Sequence, residues 1–349
     1  MKYELKYEIK EDIIVNDMDD LNENMKIIKN KIDSNPKKWR IIKKIIHDYE
    51  YIYTSPNPNK NIAKCVPFSR SYFKLKEMIN VYDILKNKNN LNIFCIAEAP
   101  GGFIQCFIDY TNLVTEIIGT SLLSTDKGIP YWNKKLLNEP KIEFKYGING
   151  DGDICDLQNI LSLIKGNKNK YDIITSDGGF DYSTDYNSQE RDSLKLIYSE
   201  IFLALNTQKE GGTFICKLFD TFLKETIYLI NCLSQSYEKI YFHKPAVSRY
   251  SNSEKYIVCI GFKGYNKDLI NILFRGIVNK IEYSCDINFL NGIRLFNEYY
   301  LEKQTKKINE GIDLFNKSLY IYPTKNQLNM TLDWCKKNNI EINENCYYL

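Results

Sequence analysis

The sequence predicts an α/β protein with a doubly wound, mostly parallel sheet, N-terminal helices and a C-terminal helical appendage. Between residues 65 and 265, short apolar runs alternate with amphipathic helical segments, which is typical of strands joined by crossover helices. Outside that range the strand pattern fades and helical spacing dominates. We therefore expect an N-terminal helical extension over residues 1–64, an α/β domain over 65–265 and the appendage over 266–349.

The N-terminal extension begins with a polar, weakly periodic stretch in which a short helix is predicted over 25–32. A second helix is predicted to start at Ser34-Asn35-Pro36, because a capping side chain followed by proline in the first turn favours a helix start. Its apolar face comprises Trp39, Ile42, Ile45, Ile46, Tyr49 and Tyr53. Its basic face comprises Lys37, Lys38, Arg40, Lys43 and Lys44, and is as consistent with solvation as with nucleic-acid binding.

The elements of the α/β domain follow from the apolar pattern and the glycine breaks. We predict helices over 69–85, 103–110, 189–205 and 221–236, and strands over 91–97, 115–119, 171–176, 213–219, 239–243 and 255–262. The last strand is expected to run antiparallel, which brings its start to the carboxyl ends of the parallel strands. In the appendage, helices are predicted over 289–303 and 326–337.

Composition limits the class of function. With 47 basic and 44 acidic residues the net charge is only +3, so any nucleic-acid surface must be a local patch. The ten cysteines include no C-x-x-C pair and there are two histidines, so we expect no metal site. No apolar run reaches eighteen residues, and we expect neither a membrane span nor a membrane partner. Cysteine usage favours a reducing, intracellular compartment.

A glycine turn follows the first strand of the domain. Ala97 to Phe103 reads A-E-A-P-G-G-F and leads directly into a helix. Glycines there allow the backbone to approach a ligand closely, and open α/β sheets bind ligands at the carboxyl ends of their strands. No G-K-S/T follows, which argues against a nucleotide P-loop. A second segment, Gly150-Asp-Gly-Asp-Ile154, could place a carboxylate beside an adenine amino group, although alone it reads as an acidic turn.

Four further segments carry ionisable residues at the same predicted edge. They contain Lys74 in the predicted helix over 69–85, Asp177 after one strand, Lys217 at the end of another and Glu254 before the last strand. Each alone would more often form a structural ion pair than a catalytic group. Lys217 lies within an apolar strand, where a charge is costly unless it is paired. Four such residues beside a glycine turn favour a catalytic cluster.

These motifs resemble the FtsJ-like RNA 2′-O-methyltransferases, which have a Lys-Asp-Lys-Glu tetrad and a Rossmann-like sheet. The similarity covers residues 65–265 and is greatest to the cap-specific messenger RNA enzymes, through Gly150–Ile154, Asp177–Phe180, Ile215–Asp220 and Lys244–Glu254. The resemblance implies the catalytic residues Lys74, Asp177, Lys217 and Glu254. It also implies S-adenosyl-L-methionine contacts at Pro100, Gly101, Gly102, Phe103, Asp153 and Ile154. One departure is Cys95, where the family often has an acidic residue.

The resemblance implies methyl transfer from S-adenosylmethionine to a ribose 2′-hydroxyl, at the cap-proximal nucleotide of messenger RNA. Lys217 is the expected general base, so its pKa must fall from about 10.4 toward neutrality, a shift that burial and Lys74 favour and the two acids oppose. RNA is the expected partner, with other capping enzymes as further candidates. Lys60, Lys64 and Arg70 would extend the basic helix face as an RNA surface.

Three other functions compete with this interpretation. They are a 2′-O-methyltransferase of ribosomal or transfer RNA, an inactive RNA- or cofactor-binding subunit, and a nicotinamide dehydrogenase. The dehydrogenase lacks its G-x-G-x-x-G turn, and the intact tetrad argues against the inactive subunit. The Lys-, Asn-, Ile- and Tyr-rich composition is typical of an AT-rich genome. It favours a virus or protist that caps its own messages, so we expect a location in the cytoplasm or in the virion or factory of a cytoplasmic DNA virus, with the nucleus as an alternative.

Overall fold

The computed structural model describes residues 2–8, 10–126, 128–180, 185–278 and 283–349. Strands within these ranges are β1 (Lys2–Glu4), β2 (Asp12–Ile14), β3 (Leu91–Ile96), β4 (Val114–Thr120), β5 (Ile142–Phe144), β6 (Tyr171–Ser176), β7 (Gln208–Leu218), β8 (Tyr237–His243), β9 (Lys255–Phe262) and β10 (Ser284–Asp286). The α-helices are α1 (Asp19–Asn30), α2 (Pro36–Ile45), α3 (Ser71–Val81), α4 (Gly102–Ile108), α5 (Leu157–Ile164), α6 (Gln189–Thr207), α7 (Lys224–Ser236), α8 (Lys267–Val278), α9 (Ile287–Ile312) and α10 (Lys325–Lys337).

Eight of these strands form one sheet in the order β1-β8-β9-β7-β6-β3-β4-β5. The neighbours from β5 through β7 run parallel, whereas β9 pairs antiparallel with both β7 and β8. The predicted fold class is thus confirmed, including the antiparallel last strand. Because β9 runs antiparallel to β7, its start meets the carboxyl end of β7, with Tyr256 opposite Lys217.

Helices bury the sheet on both faces, and alternate residues of each strand therefore enter different apolar clusters. In β3, Phe94 and Ile96 belong to one apolar cluster, and Ile93 and Cys95 to another. Helices α6, α7 and α9 contribute to the first cluster, and α3, α4 and α10 to the second. Because both faces of the sheet are apolar, polar side chains can lie close together at its carboxyl edge.

Several short elements were not predicted. The polar N-terminal stretch contributes β1, which pairs with β8 at the edge of the sheet, and β2, which pairs with β10. Three-residue strands are too short to leave an alternating pattern, and their positions depend on a distant partner. The predicted helix over 25–32 is longer in the structure, because α1 begins at Asp19. Helix α5 and strand β5 were also missed.

The limits of the three predicted units at residues 64 and 265 stay predictions, and contacts cross both of them. Strand β1 of the extension adds to the domain's sheet, and Phe296 of α9 stacks on Phe242 of β8 with ring centroids 3.8 Å apart. No helix in the described part of the chain combines the length and apolarity that crossing a membrane requires. All ten cysteines carry free thiols.

Candidate active site

The first pair of the predicted tetrad joins Lys74 to Glu254. Lys74 lies in the first turn of α3, and its Nζ is 2.8 Å from a carboxylate oxygen of Glu254. The hydroxyl of Ser248 donates a second hydrogen bond to that carboxylate, at 2.8 Å. Burial raises the pKa of Glu254, but Lys74, Lys217 and Lys244 outweigh it and hold this pKa far below the ordinary value. Glu254 is therefore ionised.

The second pair joins Lys217, near the end of β7, to Asp177, which follows β6. The Lys217 Nζ donates to the Asp177 carbonyl oxygen at 2.7 Å and lies 3.3 Å from the carboxylate Oδ1. Gly179 makes room for this contact, since a Cβ there would lie 3.2 Å from the Lys217 Nζ. The buried lysine that seemed costly in an apolar strand is thus paired, as expected.

Tyr256 connects the two pairs. Its hydroxyl donates to Asp177 Oδ1 at 2.6 Å, and the Lys74 Nζ lies 5.8 Å from the centroid of its ring. The structure therefore brings all four predicted residues to one place at the carboxyl edge of the sheet. The four side chains keep 12–16% of their surface exposed, so a substrate can reach them although they are largely desolvated.

The balance of charges around Lys217 differs from the expected one. Burial lowers the pKa of Lys217, but Asp177, Glu254 and Glu200 together outweigh burial, and the net pKa is raised above the ordinary value. In the protein alone, Lys217 is therefore an ammonium at neutral pH. The expected fall of its pKa is not a property of the protein by itself, because the carboxylates that orient the lysine also stabilise its charge.

The glycine turn lies beside α3. Gly101 has φ +102°, a left-handed conformation that favours glycine, and caps α4. A Cβ on Gly102 would lie 2.2 Å from the Ser71 hydroxyl and 2.3 Å from that of Ser69, so only glycine fits against the start of the helix that carries Lys74. Phe103 is fully buried and packs on Tyr256 with centroids 6.0 Å apart. Only the backbone of Phe103 can therefore contact a cofactor. The side chain of Pro100 is half-buried.

The acidic turn lies next to the glycine turn across the end of β4. The Ala99 N–H donates to Ser121 Oγ at 3.4 Å, and a Cβ on Gly152 would lie 2.0 Å from the Ser121 carbonyl oxygen. Asp153 accepts a hydrogen bond at Oδ1 from the Cys155 N–H at 2.8 Å. The second carboxylate oxygen, Oδ2, accepts no hydrogen bond from the described residues. Asp153 can therefore accept a hydrogen bond from a ligand. Ile154 is buried, so only the small exposed part of its side chain could contact a ligand.

The two turns together fit an adenosine-bearing cofactor. Backbone from the glycine turn lies on one side, the acceptor of Asp153 on the other, and the space beside Gly150 is open. Glu98 of the glycine turn is a buried carboxyl that accepts a hydrogen bond from Thr175 of β6, and its Oε2 has no partner among the described residues. Burial raises the pKa of Glu98 well above its usual range, so it is a neutral acid. Cys95, at the position of the departure from the family pattern, is fully buried in β3.

Sequence reasoning missed three residues that hold the tetrad, namely Tyr256, Ser248 and Lys244. Lys244 is 1% exposed, and its ammonium donates to Asn252 Oδ1 at 2.6 Å and to the Asn252 carbonyl oxygen at 2.8 Å. It also donates to the carbonyl of Glu254. For Lys244, the available signal was a charged residue directly after an apolar strand. For Tyr256 there was no signal, because the antiparallel register that sets its position cannot be read from the sequence.

The predicted basic surface is only partly free. Arg70 points inward, donating to the carbonyl oxygens of Tyr53 and Val247. Lys64 pairs with Glu341, and Lys38 donates to backbone carbonyls near residue 315. Lys43 of α2 forms no ion pair within the described residues and lines a cavity beside Glu254. Of the predicted surface, Lys43 is thus the cation that shares a cavity with Glu254 of the tetrad.

The sheet with its inserted antiparallel strand, the glycine turn and the paired lysines and carboxylates form the site that the resemblance to methyltransferases led us to expect. The model of the FtsJ-like methyltransferase family matches residues 67–262, more than half of the chain. The chain belongs to this family, whose members use S-adenosylmethionine as the methyl donor. The expected family and cofactor are thereby confirmed.

Known relatives share the central part of the chain. A cap-specific mRNA (nucleoside-2′-O-)-methyltransferase 1 of Leishmania braziliensis is 38% identical over 140 residues, which cover 38% of this chain and 34% of the relative. The enzyme of the same description from Trypanosoma brucei brucei is 40% identical over 124 residues, covering 35% and 34%. That from Xenopus laevis is 33% identical over 167 residues, covering 44% and 20%. The matches thus span about a third or less of these relatives.

A solved structure also matches. It is described as a ribosomal RNA methyltransferase from Plasmodium falciparum, is 25% identical, and covers 56% of this chain and 99% of its own, with a TM-score of 0.42. The fold assignment therefore depends on the strand order and the family match.

Proposed function

We propose that this protein methylates a ribose 2′-hydroxyl of RNA, at the cap-proximal nucleotide of messenger RNA. The observation that carries the proposal is the joining of two lysine–carboxylate pairs, Lys74–Glu254 and Lys217–Asp177, through Tyr256 at the edge that holds the glycine turn. Four groups from distant parts of the sequence would otherwise have no reason to share one partly exposed site.

Each residue has a defined task in this proposal. In its neutral amine form, Lys217 takes the proton of the 2′-hydroxyl, and Asp177 fixes the direction of its amine. Lys74 and Glu254 hold the ribose in position for in-line attack, which supplies much of the rate enhancement. S-adenosylmethionine supplies the methyl group and a positive sulfonium, whose charge acts on the Lys217 pKa in the lowering direction. That direction is opposite to the raising effect of the surrounding carboxylates.

A cavity beside Glu254 supports a capped 5′ end as the substrate. Its volume is about 220 Å³, which is enough for one nucleobase and part of the attached sugar. Aromatic residues Trp39, Tyr186 and Phe219 line it together with the cations Lys43 and Arg249. Aromatic rings stack on bases, and cations attract phosphates, which is how single-stranded RNA ends are recognised. The names of the matched relatives point to the same substrate.

The test of the base is Lys217→Ala. We expect methyl transfer to fall at least 1000-fold, because general-base catalysis and substrate orientation are lost together, with binding of S-adenosylhomocysteine retained. Lys209→Ala is the matched control, since Lys209 lies in the same strand but pairs with Asp172 at the surface. Turnover of the Lys217 variant at the wild-type rate would contradict the assignment.

The substrate is tested by tritium transfer from S-adenosylmethionine to short RNAs that differ only at the 5′ end. We expect label on the first transcribed nucleotide of capped RNA, and little on the same RNA with a 5′ triphosphate. Equal labelling of both RNAs, or label at an internal ribose, would favour a ribosomal or transfer RNA substrate instead.

A further inference from the structure

We propose that Glu50 is a positioning residue that clamps together the two segments carrying Lys74 and Glu254. Glu50 lies in the N-terminal extension, outside the residues that match the family model. The Glu50 clamp comprises Glu50, Arg70 and Arg249. This inference rests on the proposed function for its catalytic consequence, while its structural consequence can be measured without methyl transfer.

The geometry of the clamp is that of a buried, bidentate ion pair. The Glu50 side chain is 1% exposed. The Arg249 Nη2 lies 2.7 and 2.8 Å from its two oxygens, and the Arg249 Nε lies 3.1 Å from Oε2. The Arg70 Nη1 is 3.5 Å from Oε1. One carboxylate therefore pairs with two guanidinium groups, and the N–H···O bonds from Arg249 fix the plane of that guanidinium.

Each arginine stands close to one member of the tetrad. Arg70 immediately precedes α3, which carries Lys74 in its first turn. Arg249 follows Ser248, whose hydroxyl donates to the Glu254 carboxylate. Arg70 also donates to the Val247 carbonyl at 3.0 Å, which ties the two segments directly. Glu50 thus acts on the Lys74–Glu254 pair through the backbone segments that deliver it.

The electrostatics make the carboxylate necessary. Arg70 and Arg249 repel each other where water is largely excluded, and the charge of Glu50 is the nearest one that opposes this repulsion. Removing one partner of a buried ion group leaves the remaining charges uncompensated. Without Glu50 the guanidiniums should separate and carry residues 70–74 and 248–254 apart.

Glu50→Gln keeps the size of the side chain and removes its charge. We expect kcat for capped RNA to fall about tenfold or more, because small displacements of reacting groups are costly, with S-adenosylhomocysteine affinity within about twofold. Asp48→Asn is the matched control. Asp48 lies two residues away and pairs with Lys307 at the surface, so that variant should keep the wild-type kcat.

A double-mutant cycle separates positioning from loss of folding. If Glu50 acts through Arg249, Glu50→Gln should change kcat little in an Arg249→Gln background. A wild-type kcat for Glu50→Gln would overturn the proposal, and so would equal losses of kcat and S-adenosylhomocysteine binding, which would indicate general unfolding.

Amide hydrogen exchange tests the clamp without activity. In Glu50→Gln we expect faster exchange in residues 70–76 and 247–255 and unchanged exchange in β3 and β4. Unchanged exchange in the first two segments would overturn the clamp. A wild-type protein that transfers no methyl group to any RNA would instead refute the proposed function, leaving the exchange result to decide the clamp by itself.

Discussion

Tyr256 determines how the charge of Asp177 is shared. The Asp177 carboxylate accepts a hydrogen bond from the Tyr256 hydroxyl through the same oxygen that faces the Lys217 ammonium. A hydrogen bond to a carboxylate stabilises its negative charge. It thereby reduces the electrostatic interaction of that carboxylate with a second partner. The tyrosine therefore moderates the raising effect of Asp177 on the Lys217 pKa, and its hydroxyl acts on the base through the Asp177 carboxylate.

Tyr256→Phe should consequently raise the pKa of Lys217 further. Because Lys217 acts only as a neutral amine, activity rises with pH as it loses its proton, and a higher pKa moves that rise to higher pH. We expect the rising limb of kcat/KM to shift to higher pH, measured in methyl-transfer assays across pH 6–10. Tyr300→Phe is the control, since the buried Tyr300 hydroxyl has no partner among the described residues. If the rising limb of kcat/KM does not shift in Tyr256→Phe, then Tyr256 does not influence the Lys217 pKa.

At the scale of elements, helix α1 is anchored to the active-site edge by a buried ion pair. The Lys29 Nζ lies 2.7 Å from Asp220 Oδ2, and both side chains are under 10% exposed. Asp220 follows β7 and also accepts from the Ser253 hydroxyl at 2.8 Å, next to Glu254. Burial raises the pKa of Asp220, but Lys29 and Lys255 outweigh it and lower the net pKa, so the carboxylate stays ionised. A helix of the N-terminal extension thus supports the loop before β9.

Lys29→Met should destabilise the protein by about 3 kcal/mol, because removing one partner leaves Asp220 buried with less compensation. The measurement is the free energy of unfolding in urea. Lys26→Met on the same helix removes an exposed pair with Glu23 and should cost under about 0.5 kcal/mol. Equal effects of the two substitutions would show that the buried pair does not anchor α1.

For the whole molecule, the C-terminal appendage contributes directly to the core. Phe296 of α9 is fully buried and stacks on Phe242 of the sheet, at an interplanar angle of 19°. Trp334 of α10 donates to Glu77 of α3 at 2.7 Å. The residues that match the family model therefore share their core with segments on both sides. We expect them not to fold stably when expressed alone.

Phe296→Ala tests this shared core in the intact chain. Loss of a buried aromatic ring should lower the free energy of unfolding by about 3–5 kcal/mol. Its neighbour Leu295 is 61% exposed, so Leu295→Ala should change stability by less than about 0.5 kcal/mol. A small effect of Phe296→Ala would mean that the appendage is only loosely attached.

The sequence by itself determined the alternation of strands and helices, the glycine turn and the charged residues at the carboxyl edge, and its resemblance to a family predicted that four of them form a tetrad. These are local signals, because apolar periodicity, glycine pairs and charges within apolar strands are visible along the chain. The structure places Lys74, Asp177, Lys217 and Glu254 together as that pattern predicted. The short strands β1, β2, β5 and β10 and the role of Tyr256 left no such signal, whereas Lys244 was marked only as a charge directly after an apolar strand.

Only the tertiary structure decided what surrounds the tetrad. The register of β9 against β7 sets Tyr256 opposite Lys217, and the fold of the extension buries Glu50 between two arginines. It also decided the sign of the Lys217 pKa shift, since burial and carboxylates oppose each other and their balance depends on distances. Interaction energies between charges depend on separation and on exclusion of water, and neither quantity is encoded locally in a sequence.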